Sequence, residues 1–416
     1  MDHELRKRGT SAEALSLLTS EAVRTRAHAM LALGLKAELL HFRVDLERLE
    51  TVAELVADTT RATYPTLDVP LHSRWRHFEF QGVDRWAALV RTRSWAPEEA
   101  ARAAFDLTFV SVLLDAGAGP RWHYLDHRSG ATIGRSEGLA LATFAMFEEG
   151  AFSANTREPL RVEGAVLRDF PAEKLRRGLQ ISDANPLVGV EGRLRHLRRL
   201  GQVVTEHPEI FGQYDSPRPG GFYDALAAGS KNRIVQAPMI LSQLLLHLKS
   251  IWPSCQLLAG IPLGDCWPHP LLRTQDTTDG LVPLHKLSQW LAYSLIEPLQ
   301  WAGHAVTDVD GLTGLAEYRN GGLFVDAGVL ILREPTDALR DHDVGSPLVV
   351  EWRALTVALL DELVGKVRRR LNLDAAAFPL ARLLQGGTWE TGRSLAARLR
   401  SDGSPPIRVI SDGSVF

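Results

Sequence analysis

The stretch DVDGLTGLAEYRNGG, Asp308 to Gly322, packs three acids, an arginine and four glycines into fifteen positions. Asp308 and Asp310 two apart, with Gly311 next, begin like a calcium loop. Such a loop needs oxygen ligands at positions 1, 3 and 5, glycine at 6 and a bidentate Glu at 12. Here positions 5, 6 and 12 are Leu312, Thr313 and Arg319, so three of the five requirements fail. What remains is acid–base chemistry. Asp310 and Glu317 are seven apart, two helical turns if GLTGLA is helical, and would then face one pocket, with Arg319 tuning or pairing either acid. By spacing alone a capping aspartate and a surface Glu–Arg pair are the preferred account. Asn320-Gly321-Gly322 reads as a natural stop, tolerant of positive φ.

A second constellation precedes it in LVPLHKLSQWLAYSLIEPLQWAG, Leu281 to Gly303. On a helix, His285, Gln289, Tyr293 and Glu297 share one stripe at i, i+4 spacing, with Lys286 one residue round. Pro298 should kink or end that helix. Trp290 and Trp301 suggest that much of its girth is buried. A buried polar face needs partners, and a substrate phosphate or hydroxyls would supply them; a solvated face accounts for the stripe equally well.

Other candidates carry weaker signals. Arg135 and Glu137 head an apolar helical run, where an arginine beside free helix N–H groups can receive an anion; a solvated helix start is the plainer reading. Aromatic RWHYLD, Arg121 to Asp126, reads as core. Glu351 and Arg353 interrupt the apolar run LVVEWRALTVALL and must be paired or face a cavity. In GDCWPH, Asp265, Cys266 and His269 lack a second ligand group at motif spacing, and a Trp-Pro loop explains them as well. LLQGGTWETGR has a Gly-Gly turn without the Lys-Ser/Thr of a P-loop, and GxGxxG, GxSxG and HExxH are absent.

The elements that must position these residues are helices. Apolar residues recur three or four apart over residues 11–18, 22–33, 37–55, 97–114, 137–149, 194–203, 234–248, 284–301, 349–371 and 394–399. Thr10-Ser11 before Ala-Glu, Asp337 before Ala-Leu, and Pro97 at a first helical position read as starts. Strand alternation is confined to residues 323–332 and 407–410. The expected fold is mainly α, multi-helix and globular, with few short strands. Breaker clusters at residues 64–70, 117–120, 215–221, 260–270 and 334–347 form no long linker, and no repeat of solenoid period appears. The division expected is an N-terminal helical region, 1–65, and a main helical body, 66–416, with one continuous domain as the alternative.

Composition narrows the class. Of 416 residues, 45% are hydrophobic, enough for a sizeable core. The formal charge of -3, from 47 Lys+Arg against 50 Asp+Glu, makes no case for nucleic acid or a membrane surface. Arg368-Arg369-Arg370 reads as a solvated helix face. The two cysteines, Cys255 and Cys266, cannot build a disulfide scaffold or a structural zinc site alone. The amino-terminal residues lack a long apolar core after their charges, so no secretory signal is expected, and no membrane span is expected either. A cytoplasmic protein follows by default.

Long blocks then carry a resemblance: SEGLALATFAMFEEGAFS, ISDANPLVGVEGR, GLVPLHKLSQWLAYSLIEPLQWAG, DVDGLTGLAEYRNGGLFVDAGVL, VVEWRALTVALLDEL, LLQGGTWETGR and ISDGSVF. Across roughly residues 70–416 the chain resembles the fungal uracil-catabolism family of unknown-function proteins. That family is associated with pyrimidine degradation through ribosylurea, beside a cyclohydrolase-like partner. The order of Lys286 and Gln289, then Asp308, Asp310, Leu312, Thr313, Ala316, Glu317, Tyr318 and Arg319, then Gly328–Leu330, is also similar to queuosine salvage proteins. Those are helical N-glycosylases related in fold to helix-hairpin-helix DNA glycosylases. Where they carry Asp before Tyr-Arg this chain has Glu317, and Asn320-Gly321-Gly322 replaces their Val-Pro-Gln.

Together the resemblances imply an enzyme that cuts ribose, or ribose 5′-phosphate, from urea. An oxocarbenium-like state calls for a carboxylate beside C1 and a proton for the departing nitrogen. Glu317 would take the carboxylate role, and Asp310 would hold ribose hydroxyls or share acid–base duty. Lys286 and Arg135 would hold a 5′-phosphate. Gln289, Tyr293, Tyr318 and Arg319, with Asp308, His285 and Glu137, would complete the substrate pocket. No metal or other cofactor is called for, and the ligand is a small molecule. Two other readings stay open: amide hydrolysis of a ring-opened intermediate, and a non-catalytic helical partner of the cyclohydrolase-like protein.

Overall fold

A computed structural model describes residues 9–212, 216–252 and 256–410. Cys255, the amino-terminal residues read for a leader, and all but the first residue of the closing ISDGSVF lie outside them. The protein is mainly α, as the periodicity predicts. Among the described residues the strands are two or three residues long and pair only two by two. No helix there is long and apolar enough to cross a membrane. The chain divides into two compact units: Met1–His72 with Ser254–Gln289 and Asp308–Ile410, and Ser73–Pro253 with Trp290–Thr307 and Ser411–Phe416.

The first unit is built round the helix Pro347–Leu371, started by Pro347 after the Ser346 cap and ended at Asn372 with φ 55°. The helices Ser20–Leu35, Leu49–Thr63 and Tyr318–Asp326 pack against it. Thr10 opens the helix Ser11–Ser16 with a full capping box to Glu13, as expected.

Three expectations need correction here. Residues 37–55 are not one helix: Phe42–Val44 is a strand antiparallel to Leu330–Leu332, and the helix begins only at Leu49. The cause is tertiary, because Glu351 accepts the N–H groups of Leu40, His41 and Phe42 at 3.2, 3.0 and 2.9 Å. Residues 323–332 are strand only at their end. Asn320-Gly321-Gly322 stops nothing; it lies inside the helix Tyr318–Asp326. A Cβ on Gly321 would stand 2.7 Å from Trp352 Nε1 and 2.8 Å from Thr356 Oγ1, so glycine there permits close helix packing.

Two loop readings change as well. Asp337 caps nothing; the 3-10 turn Pro335–Leu339 starts after Glu334. The Gly-Gly of LLQGGTWETGR lies in a π-helical turn, Leu384–Thr388, continuous with the helix Trp389–Leu399. A Cβ on Gly387 would be 2.7 Å from the Val56 carbonyl oxygen, which explains a glycine pressed on that neighbour.

The second unit contains the helices Pro97–Leu113, Arg135–Glu148, Val190–Glu206, Gly221–Gly229 and Ala237–Leu248. Pro97 is the first helical residue, as expected. Residues 234–248 split, since Ile234–Gln236 pairs in parallel with Ala305–Thr307 before the helix begins. The helix Lys286–Trp301 passes from the first unit, up to Gln289, into the second, from Trp290. Pro298 does not end it. Lacking an N–H, Pro298 cannot bond the Ser294 carbonyl, and the indole N–H of Trp75 donates to that oxygen instead at 2.7 Å.

Candidate active site

In the first unit the candidate site starts from a buried ion pair. Asp265 is 2% exposed and Arg353 1%. Arg353 donates to both carboxylate oxygens, Nη1 to Oδ1 at 2.9 Å and Nη2 to Oδ2 at 2.7 Å. The guanidinium beside it, together with the Trp267 indole and the Lys286 amide, holds the Asp265 carboxyl below its ordinary range against the opposing effect of burial. Asp265 in turn organises the next segment. Its carbonyl accepts the N–H groups of Leu284 and His285, and its Oδ2 accepts that of Lys286 at 3.0 Å. His285 sits there at φ 47°, a left-handed conformation that costs a non-glycine residue energy. The start of the Lys286 helix is therefore held in a strained turn by one aspartate.

The same guanidinium reaches the acid-bearing stretch, because Arg353 Nε donates to the Ala316 carbonyl at 3.2 Å. Gln289 clasps the stretch from the other side: its Oε1 accepts the Thr313 N–H at 2.8 Å, and its amide donates to the Thr313 hydroxyl. After the 3-10 turn Val309–Gly311 the residues LTGLA are irregular rather than helical, and Asp310 and Glu317 are not two helical turns apart. Asp310 takes the Arg368 guanidinium at 2.5 Å and the Leu380 N–H at 2.6 Å. It caps the short helix Leu380–Leu383, not the segment that follows it, with one bond on each carboxylate oxygen. Arg368 is correspondingly no free solvated cation. Asp308 is exposed, with φ 52°.

Glu317 caps the helix Tyr318–Asp326. Its Oε2 accepts the Arg319 N–H at 2.7 Å and its Oε1 the Asn320 N–H at 2.6 Å. It is 9% exposed. Burial pushes its carboxyl above the ordinary glutamate value, outweighing the two amides and the nearby Lys286 and Arg319 charges. Each oxygen keeps a second lone pair, so the cap does not exhaust the group. Arg319 turns away from it: Nη1 donates to the Gly403 carbonyl at 3.2 Å, and the guanidinium lies 5.0 Å from the half-buried Tyr318 ring. In the same turn Asn320 Oδ1 and Arg319 Nε are buried without a hydrogen-bond partner among the described residues. A buried acid of raised pKa, an ammonium that acts on it and unsatisfied polar atoms form an arrangement suited to proton transfer.

Other predicted residues fall elsewhere. His285 is fully buried, Nε2 bonding the Leu17 carbonyl at 2.9 Å, and burial lowers its pKa. In the second unit Tyr293 is fully buried, Arg135 exposed and Glu137 half-buried. Glu297, of the same helical stripe, accepts from Ser73 at 2.5 Å and Arg76 at 2.6 Å. Gln289 and Glu297 of the stripe thus find protein partners, while His285 Nδ1 is buried with none among the described residues. Glu137 contributes to the field round Arg74, a fully buried arginine that bonds Ser111 at 2.8 Å, His77 at 3.0 Å and Asp115 at 3.0 Å. The sequence reading passed over Arg74 and His77, whose only signal was a basic–aromatic run, SRWRHF. Glu351 and Arg353 are paired as expected, Glu351 with His269 at 3.4 Å besides the three amides. Asp265 and His269 are thereby spent, and among the described residues no group of three His, Cys, Asp or Glu is placed to hold a metal.

Comparison with known proteins adds a relation over the whole length. The model of the family described as "Protein of unknown function (DUF1688)" matches residues 16–416. "Protein urg3" of Schizosaccharomyces pombe is 39% identical over 411 residues, 96% of this chain and 98% of that protein. "Uracil catabolism protein 4" of Lachancea kluyveri is 37% identical over 412 residues, 90% of this chain and 92% of that protein.

Proposed function

The chain belongs to this DUF1688 family of proteins of unknown function, and on that premise we propose that it acts in uracil catabolism. Its reaction would be hydrolysis of the N-glycosidic bond of ribosylurea, or of its 5′-phosphate, releasing urea. The observation that carries this reading is the Glu317 carboxyl, buried, raised in pKa and within the field of Lys286. In the step, the C1–N bond breaks as Glu317 hands its proton to the departing urea nitrogen. The carboxylate left behind faces the developing oxocarbenium charge, and water adds to C1 as its proton passes back to Glu317. Lys286 holds a 5′-phosphate by charge-assisted hydrogen bonds.

Gln289, Asp265 and Arg353 are positioning residues, since they fix the two segments that carry Lys286 and Glu317. Asp310 is held by Arg368 and the Leu380 amide, and the proposed step does not call on it. The test is purified protein with ribosylurea and with its 5′-phosphate, monitored for free urea. Release from either supports the reading. No release from both, with a rise in the cyclohydrolase-like protein's rate on mixing, would establish a non-catalytic partner instead.

A further inference from the structure

Within the second unit, a cavity of about 490 Å³ opens among the loop before the helix Pro97–Leu113, the segment Arg157–Arg161 and the start of the helix Gly221–Gly229. That volume lies in the range of small-ligand sites. Five guanidiniums line it against three carboxylates. Three of the arginines form a fixed floor. Arg102 holds Asp224 through two nitrogens and Glu99 at 3.0 Å. Arg218, 6% exposed, bonds Glu99 at 2.8 Å and the buried Asp106 at 2.8 Å. Arg161 pairs with Glu158 at 2.8 Å.

Arg93 and Arg157, also on the lining, make no ion pair among the described residues and are exposed. Beside them stands Trp95, half-exposed, its ring braced on Trp86 with centroids 6.3 Å apart. Counting Asp106 and Glu163 behind the floor, the latter 3.9 Å from Arg161, five carboxylates match the five arginines. Every one of these carboxylates engages a floor arginine, so Arg93 and Arg157 are the guanidiniums left to meet a phosphate, for which arginine offers bidentate donors. A braced indole at the same wall matches a planar ring.

We propose that this cavity binds a phosphate monoester bearing a planar ring, of the nucleoside 5′-monophosphate class. Arg93 and Arg157 take the phosphate and Trp95 stacks the ring. The cavity belongs to the second unit and Glu317 to the first, and the proposal does not depend on the reaction proposed for Glu317. Titration calorimetry of the full chain with adenosine and uridine 5′-monophosphates, the two nucleosides and ribose 5-phosphate tests it. A monophosphate should bind at least about tenfold more tightly than its nucleoside and than ribose 5-phosphate. Arg93→Ala and Arg157→Ala should each weaken it by about tenfold, and Trp95→Ala should remove the preference over ribose 5-phosphate. Both arginines are exposed, so folding is not at stake. Equal binding of nucleoside and nucleotide, no binding of either, or loss of binding in Lys286→Ala with none in Arg93→Ala and Arg157→Ala would overturn the assignment.

Discussion

Replacing Glu317 by glutamine separates its two tasks, capping and proton transfer. The wild-type carboxylate accepts two N–H groups, one on each oxygen. Glutamine offers one acceptor, and its NH2 group meets the other amide donor to donor. Loss of a helix cap costs about 0.5–2 kcal/mol, and one of the two bonds survives, so about 1 kcal/mol is expected. In a unit of roughly two hundred residues that lowers Tm by about 2–4 °C. A general acid–base group, by contrast, is worth about two to four orders of magnitude in rate. Glu317→Gln should therefore lose at least about a hundredfold in kcat for urea release with a Tm shift of a few degrees. Glu317→Asp, a good capping residue with its carboxyl drawn back by one methylene, should recover the Tm but only part of the rate. The pH dependence gives a further check. Between the ordinary glutamate pKa of 4.5 and its raised folded value, the native protein keeps a proton that the unfolded chain has lost. Stability falls as pH rises through that window, and Glu317→Gln should flatten the slope in denaturant titrations. Near wild-type turnover in Glu317→Gln would refute the catalytic role. An unchanged slope would refute the electrostatic account.

Lys286→Ala should raise KM for the 5′-phosphorylated substrate by about tenfold or more and leave unphosphorylated ribosylurea nearly unaffected; equal effects would remove Lys286 from phosphate binding. Asp265→Ala leaves the Arg353 charge buried and alone, so urea denaturation should report a loss of about 3–5 kcal/mol. Adding Arg353→Met should return much of it. Gly321→Ala places a methyl against Trp352 and Thr356 and should cost about 1–3 kcal/mol in the same measurement. His28 has its pKa raised, chiefly by its hydrogen bond to Asp361. That contribution is complete below the ordinary histidine pKa of 6.5 and is lost as pH rises through the folded value. His28→Gln should flatten stability against pH above 6.5.

Local signals were legible where the physics is local. The Thr10–Glu13 capping box, Pro97 at a helix start and the apolar period of residues 349–371 each rest on groups within a few positions of one another, and each appears as expected. The long matched blocks, likewise legible as residues in order, identified the family. Period alone misled at residues 37–55, where the amides of residues 40–42 are claimed by Glu351, more than three hundred positions away. It misled again between Asp310 and Glu317, where Gln289 and Arg353 bond the backbone of a segment that is not helical.

The sequence by itself therefore determined that the protein is mainly helical, to which family it belongs and which acids deserved scrutiny, because residue type and spacing carry those. It also pointed to Arg353, set in an apolar run, as a group either paired or facing a cavity. Only the tertiary structure decided that the partner is Asp265, that Asp310 is spent on Arg368 and the Leu380 amide, and that Glu317 is both a cap and a buried acid of raised pKa. Hydrogen-bond partners and desolvation depend on which distant segments close over a group, and no spacing along the chain encodes that.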